Sequence, residues 1–240
     1  MKINENGRSM IEMLGVLAII GVLSVGGIAG YSKAMSKYRT NKMIDQATML
    51  ITNIRTMFAQ QQSYADLSNA RAVNLALVPE EMIVNPGQYI EDGGDRKLRN
   101  VFSGNVVIKN SAIDEDDKNV QAQEAQGENP AVEAYASQGA FRVTFFGISR
   151  DACIQVATSD WGAGSSSGLV GLHIWDAGTE TKEDAVADKI YKNAAKTEEE
   201  NKNIAIPGGS TYKVPFTVVQ AQAACDCKNR TTCAVTWKYF

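Results

Sequence analysis

The most restrictive feature of this sequence is an uncharged apolar run, from Met13 to Ser32, that directly follows a glutamate, Glu12. As a helix rising about 1.5 Å per residue, such a run spans roughly 30 Å, the thickness of the hydrocarbon core of a bilayer. One carboxylate at the start of the span costs roughly 3 kcal/mol or more in lipid. The run therefore predicts a membrane-spanning helix, and Glu12 requires a partner.

Two interpretations of this segment compete. An uncleaved signal anchor needs only the apolar run and the basic residues Lys2 and Arg8 before it. That interpretation leaves Glu12 unexplained, although Arg8 lies four residues earlier and can pair with it on one helix. The order Gly7, Arg8, Glu12 and apolar run resembles instead the class III signal of type IV pilins and pseudopilins.

In that family a prepilin peptidase cuts after the glycine, the new N-terminal residue is methylated, and the fifth mature residue is glutamate. The resemblance implies cleavage between Gly7 and Arg8, N-methylation of Arg8 and a role for Glu12 in subunit assembly. Arg8 departs from the family, which usually has Phe, Met or another apolar residue there. The implied partner of Glu12 is the free α-amine of a neighbouring subunit.

The helix is predicted to continue as an amphipathic segment to about residue 62. Its apolar stripe is too broad for a two-position coiled-coil seam, so packing against a globular head explains it better. The stripe consists of Met43, Ala47, Leu50, Ile54, Met57 and Gln61, with Ile44, Ile51 and Phe58 beside them. Before it, Gly26, Gly27 and Gly30 weaken the helix by up to ~1 kcal/mol each. The resemblance implies unwinding there during assembly, whereas close packing of helices in a membrane is the alternative.

The rest of the chain predicts an α+β head. Alternating or β-branched runs predict strands at Asn105–Lys109, Ala140–Phe146, Leu169–Trp175 and Ala234–Phe240. Helical patterns fall near Ala70–Leu77, Glu183–Lys196 and Pro215–Ala224. The polar stretches 111–138 and 176–209 predict exposed excursions. Asp114–Asp117 lacks the alternating ligand spacing and the glycine of a calcium loop, which favours a solvated turn.

Several segments of the head resemble type IVb pilins of the conjugative thin-pilus kind. These segments are LVPEEMI at 77–83, VFSGNVVI at 101–108, FRVTFFGISRDACIQVATSDWG at 141–162, PFTVVQAQAAC at 215–225 and AVTWKYF at 234–240. The resemblance implies a pilin fold in which a long N-terminal hydrophobic helix packs on an antiparallel sheet. It also implies that a short helix carries Cys153.

The four cysteines are Cys153, Cys225, Cys227 and Cys233. An even number behind a membrane-targeting segment favours disulfides in an oxidising compartment. Four cysteines allow three pairings, and the resemblance implies Cys153 with Cys225, which leaves Cys227 with Cys233. A four-thiolate zinc site is the rival, but the spacing Cys-X-Cys lacks the usual two-residue gap.

The basic residues after the apolar run bear on the orientation of the head. By the positive-inside rule, the four basic residues 33, 37, 39 and 42 favour a cytoplasmic head. The cysteines and the pilin resemblance both favour a head outside the cytoplasm, and we follow these two.

The sequence contains no constellation that predicts catalysis. Its one histidine, His173, falls on a predicted strand, and GAGSSSG at 162–168 has neither a P-loop lysine nor a dinucleotide fingerprint. The net charge of −3 gives no indication of nucleic-acid binding. We therefore expect no enzymatic activity, no cofactor and no bound metal.

Together these patterns predict a type IV pilin-like structural subunit. The expected regions are a leader at 1–7, a transmembrane and filament-core helix at 8–32, its amphipathic continuation at 33–62 and the head at 63–240. The expected partners are copies of the chain itself, a prepilin peptidase, an inner-membrane assembly platform and other pilins. The precursor is expected in the inner membrane and the product in the periplasm or an extracellular filament. A type II secretion pseudopilin and a signal-anchored binding protein that does not polymerise are the alternatives.

Overall fold

A computed structural model describes residues 10–61, 63–87, 96–113, 139–162, 167–178, 203–207, 213–227 and 232–240. Its helices are α1 (Met10–Phe58), α2 (Asn69–Asn74), α3 (Arg150–Thr158) and α4 (Val218–Ala224), with a 3-10 turn at Glu80–Met82. Its strands are β1 (Leu98–Arg99), β2 (Asn105–Ser111), β3 (Ala140–Ile148), β4 (Leu169–Asp176), β5 (Ile204–Ala205) and β6 (Cys233–Tyr239). The chain divides into two compact units, Met1–Thr40 and Asn41–Phe240.

The described strands form one antiparallel sheet in the order β1-β2-β3-β6-β4-β5. The last strand of the chain, β6, lies between β3 and β4 and is hydrogen-bonded on both sides. All seven of its residues are buried. The C-terminal segment is therefore the centre of the sheet.

The part of α1 that belongs to the unit 41–240 packs one face into the core of that unit. Met43, Leu50 and Ile54 are fully buried in a cluster that includes side chains of β2, β3, β4 and β6. The predicted stripe is correct at these positions and wrong for Met57, which is 46% exposed, and for Gln61, which is also exposed. Phe58, predicted beside the stripe, is buried because it lies four residues after Ile54 and continues the buried face of the helix. The helix also ends at Phe58 rather than near residue 62.

The predicted strands of the head, and the two predicted short helices that fall on described residues, are present with shifted ends. The clearest shift is at α4, which begins at Val218 rather than Pro215 because Thr217 caps it. The Thr217 hydroxyl accepts a hydrogen bond from the Gln220 backbone N–H, and the Gln220 side chain accepts one from the Thr217 N–H. This reciprocal capping box fixes the start of the helix. The predicted helix 183–196 and the turn 114–117 lie outside the described residues.

A tight turn at residues 100–104 joins β1 to β2 and supports β3. The buried Asn100 side chain accepts hydrogen bonds from the backbone N–H groups of Phe102 and Gly104, at 2.9 and 3.1 Å. Its amide nitrogen donates to the Phe146 carbonyl oxygen at 2.8 Å. The turn approaches β3 so closely that a Cβ on Gly104 would overlap the same carbonyl oxygen.

We expect Gly104→Ala to lower the free energy of unfolding by about 2 kcal/mol or more, because the added methyl group forces the backbone of β3 to move. Gly87→Ala is the control, since a Cβ there meets nothing within 4 Å. Denaturant unfolding of the full-length chain in detergent measures both. Equal stability of the two variants would contradict the close approach.

A polar network joins α1 to the 3-10 turn. Glu81 forms a salt bridge with Lys42 at 2.9 Å and accepts a hydrogen bond from the Gln46 side chain at 3.0 Å. Gln46 in turn accepts a hydrogen bond from the Val101 backbone N–H at 3.2 Å. The hydrogen bonds from Lys42 and Gln46 lower the pKa of Glu81 below its usual value of 4.5.

Because the folded-state pKa of Glu81 is lowered, its carboxylate stabilises the fold above the unfolded-state pKa, and this contribution disappears as the pH falls through the folded-state pKa. We expect Glu81→Gln to cost at most ~1 kcal/mol at pH 7, since the pair is half-exposed and screened by solvent. The deficit should vanish in strong acid. Glu80→Gln, which removes the neighbouring charge, is the control, and unfolding curves across a pH series check the result.

Candidate assembly surfaces

The apolar segment of the unit 1–40 is exposed along its described length. Within α1, a window of 18 residues has a mean hydropathy of 2.2 and is 0% buried, so this helix is long and apolar enough to cross a membrane. Its exposed large side chains include Ile11 at 78%, Val22 at 75% and Ile28 at 71%. Exposed apolar surface costs roughly 25 cal/mol per Å² in water. The segment therefore requires lipid or other protein to cover it.

Glu12 lies in the first turn of α1 and is exposed. A carboxylate at this end of a helix interacts favourably with the partial positive charge of the unpaired N–H groups. Gly7 and Arg8, the predicted cleavage and methylation residues, lie outside the described residues. Within the described part of the chain, Glu12 is thus the acidic residue at the N-terminal end of the apolar surface.

Gly26, Gly27 and Gly30 all lie inside α1, and a Cβ on any of them meets nothing within 4 Å. Within the described part of the chain, no contact therefore requires a glycine at these positions. A stripe of small residues allows the backbone of another helix to approach closely in a membrane. Both hypotheses made for these glycines, unwinding and close packing, remain predictions.

Two disulfides fasten the C-terminal region of the head. Cys153 of α3 bonds to Cys225 at the end of α4 with a Cα–Cα distance of 5.9 Å, and Cys227 bonds to Cys233 at the start of β6 with 5.5 Å. This is the pairing that the family resemblance implies. It overturns the rival zinc site, because none of the four sulfurs is a free thiol. The bonds hold α3, α4 and the central strand together.

Loss of the two disulfides should have unequal effects. The Cys153–Cys225 bond closes 72 residues and the Cys227–Cys233 bond closes 6. On loop entropy alone, the first contributes about 4 kcal/mol and the second about 2 kcal/mol. We expect the double variant Cys153→Ser/Cys225→Ser to lose about twice the unfolding free energy of Cys227→Ser/Cys233→Ser. Urea titration of both full-length variants tests this order, and a reversed order contradicts it.

Among the described residues, no group of three or more His, Cys, Asp or Glu side chains is placed to hold a metal ion. His173 is buried on β4, where its ring stacks on Trp175 with the centroids 4.6 Å apart. The segment 114–117 and part of the glycine-rich stretch 162–168 lie outside the described residues.

A cleft of about 650 Å³ lies at the C-terminal end of α1. It is lined by Thr52, Arg55, Thr56, Phe58, Ala59, Gln61, Tyr64, Gly139 and Phe240. The Arg55 guanidinium lies over the Tyr239 ring, 5.6 Å from its centroid, so one lining residue of the cleft connects α1 to the central strand. The cleft could not be predicted from local sequence patterns because its lining comes from distant segments.

An N-terminal helix with an apolar first part, an antiparallel sheet and two disulfides near the C-terminus form the α+β fold of a pilin, a class of structural subunits. A protein-family model described as Bundlin matches residues 33–239, and the chain belongs to this family of type IVb pilin subunits. The predicted family and fold class are therefore confirmed.

A comparison with solved structures finds similarity to the crystal structure of a type IVb pilin from Salmonella typhi. The identity is 17%, the TM-score is 0.45, and the match covers 83% of this chain and 98% of that one. No curated protein sequence matches the chain.

Proposed function

We propose that this pilin subunit is made as an inner-membrane precursor, cut after Gly7 by a prepilin peptidase and assembled through its N-terminal helix into an extracellular filament. The proposed regions are a leader at 1–7, a membrane and filament-core helix at 8–32, its continuation at 33–62 and the head at 63–240. The observation that carries the proposal is Glu12 at the start of an exposed apolar helix.

Glu12 explains how the same helix serves two environments. In the precursor, the apolar side chains are covered by lipid, and a carboxylate near the end of the span can reach the interface. In a filament, the helices are covered by copies of themselves, and the carboxylate needs a positive partner there. Cleavage after Gly7 creates such a partner, because it frees the α-amine of Arg8. Methylation of that amine retains its charge.

Apolar packing supplies the driving force in this proposal. In lipid, association of two helices gains little from the hydrophobic effect, since lipid tails are as apolar as leucine. Outside the membrane, the same surface is worth roughly 25 cal/mol per Å². Extraction from the membrane therefore commits the helix to other helices. The platform and other pilins are the proposed partners in this step.

We expect Glu12→Ala to give a stable membrane precursor and few or no filaments, because the helices lose the charge that sets their register. Glu12→Gln is a second, near-isosteric variant that removes the charge but keeps the size of the side chain. We expect it to abolish filament formation as well. Sheared filaments are quantified by electron microscopy and immunoblotting in the native host. A normal yield from either variant would contradict the pairing.

Mass spectrometry of the mature protein tests processing separately. A chain that begins at Arg8, with or without a methyl group, supports the proposal. A wild-type chain that retains the leader and never polymerises would support a signal-anchored protein instead.

A further inference from the structure

Exposed large apolar side chains are rare in the described part of the unit 41–240. Two are adjacent on α4, Val218 at 60% exposure and Val219 at 76%. Two lie on α1, Met49 at 53% and Met57 at 46%, and Leu75, at 38%, is the C-cap residue of α2. Single exposed apolar residues need no explanation, whereas the two adjacent valines form a small apolar surface.

The α4 surface consists of Lys213, Pro215, Val218 and Val219, all exposed. The two valines occupy the first helical positions after the Thr217 cap. Acidic or polar residues suit these positions better, since they complement the helix dipole, and β-branched residues lower helix propensity. The two valines therefore lower the stability of α4, and because they are exposed they add no packing that would offset the loss.

This surface is also held rigidly. The capping box fixes the start of α4, and the bond from Cys225 to Cys153 fixes its end. The aromatic ring of Phe216, between Pro215 and Thr217, is buried in the core. A surface fixed in this way loses little conformational entropy when it binds, which is the usual property of an anchor at an interface.

The α1 surface consists of Asp45, Met49, Thr52 and Thr56. These residues recur at spacings of four, three and four, so they form one stripe on the helix face opposite the buried one, with Met57 on its flank. The stripe leads into the cleft of about 650 Å³, because Thr52 and Thr56 also line it. The α1 surface therefore combines exposed apolar atoms with a hollow that can receive a side chain.

The two surfaces are complementary in charge as well as in polarity. Lys213 is exposed on the α4 surface and Asp45 is exposed on the α1 surface. Both surfaces are open in the folded chain, so neither covers the other within one molecule. A patch that fits a different patch of an identical molecule makes a head-to-tail contact, which repeats without closing into a dimer.

We propose that the α4 surface of one copy of this chain docks on the α1 surface of a second copy, with Val219 entering the cleft beside Thr52 and Thr56. This inference rests on the proposed filament function and names a contact between heads in that filament. The N-terminal helices supply apolar area, and this contact selects which side of a neighbouring head each copy meets.

A photo-crosslinking amino acid at position 219 of the full-length chain, expressed in the native host, tests the contact. We expect a dimeric adduct whose peptide map joins position 219 of one copy to the α1 surface or the cleft lining of a second copy, which are residues 45–64, 139 and 240. An adduct to another part of the chain, an adduct to a different protein, or no adduct from processed filaments would each overturn the proposal.

Charge substitutions supply an independent test. We expect Val219→Lys to lower filament yield by about tenfold or more, since its ammonium group would enter the cleft that the Arg55 guanidinium also lines. Gly87→Lys introduces a lysine at an exposed position that belongs to neither surface and should leave the yield unchanged. Adding Met49→Glu to Val219→Lys should restore much of the yield by pairing the two charges. Wild-type yield from Val219→Lys, or no rescue by Met49→Glu, would overturn the proposal.

These results separate the two proposals. A failure of the proposed function appears in the wild-type chain, as a retained leader and no filaments. A failure of the head contact appears in chains that are cut after Gly7 and polymerise normally, as unaffected variants or a misplaced crosslink.

Discussion

Burial of one face of α1 against the antiparallel sheet is the interaction on which the unit 41–240 depends. Met43, Leu50 and Ile54 are fully buried there, and each such side chain contributes roughly 1.5–3 kcal/mol relative to exposure. Because a helix has a single axis, fixing this face also fixes the opposite one. Asp45, Met49, Thr52 and Thr56 are thereby held outward on a rigid element. The core of the head therefore determines which residues of α1 are available to another molecule.

The sheet adds a second constraint, because its central strand arrives last. β6 pairs with β3 and β4 on its two sides, so both neighbours lack an inner partner until the C-terminus is in place. Such long-range pairing has a high entropic cost of closure. The disulfides constrain this region: Cys233, the first residue of β6, is bonded to Cys227, and Cys225, two residues before Cys227, is bonded to Cys153 of α3. They therefore tie the start of the central strand to the end of α4 and to α3.

Much of this architecture could be predicted from the sequence, and the misses have physical causes. Periodicity placed β2, β3, β4 and β6 within two residues of their ends, because each strand has several β-branched or aromatic residues. The strands β1 and β5 were not predicted, because each is only two residues long and too short to show an alternating pattern. The position of β6 could not be inferred, because local pattern carries no information on which strands become neighbours. The disulfide pairing followed from the family resemblance, because four cysteines alone allow three pairings, and the role of Glu12 stays a prediction. Val218 and Val219 could not be recognised from the sequence, because only the folded chain shows that they are left uncovered.

The two kinds of exposed apolar surface differ in scale, and the difference has a consequence for assembly. The N-terminal segment is apolar around its whole circumference, so it gains energy from almost any apolar neighbour and discriminates poorly between orientations. The two head surfaces are small, so a contact between them buries little area. They include the charged residues Lys213 and Asp45, so docking in a wrong orientation would place a charge against apolar atoms. A head-to-tail contact between different surfaces repeats along an open helix, whereas a self-complementary contact stops at a dimer. In the proposed head contact, both surfaces face outward in the folded chain, so a single subunit leaves both of them uncovered.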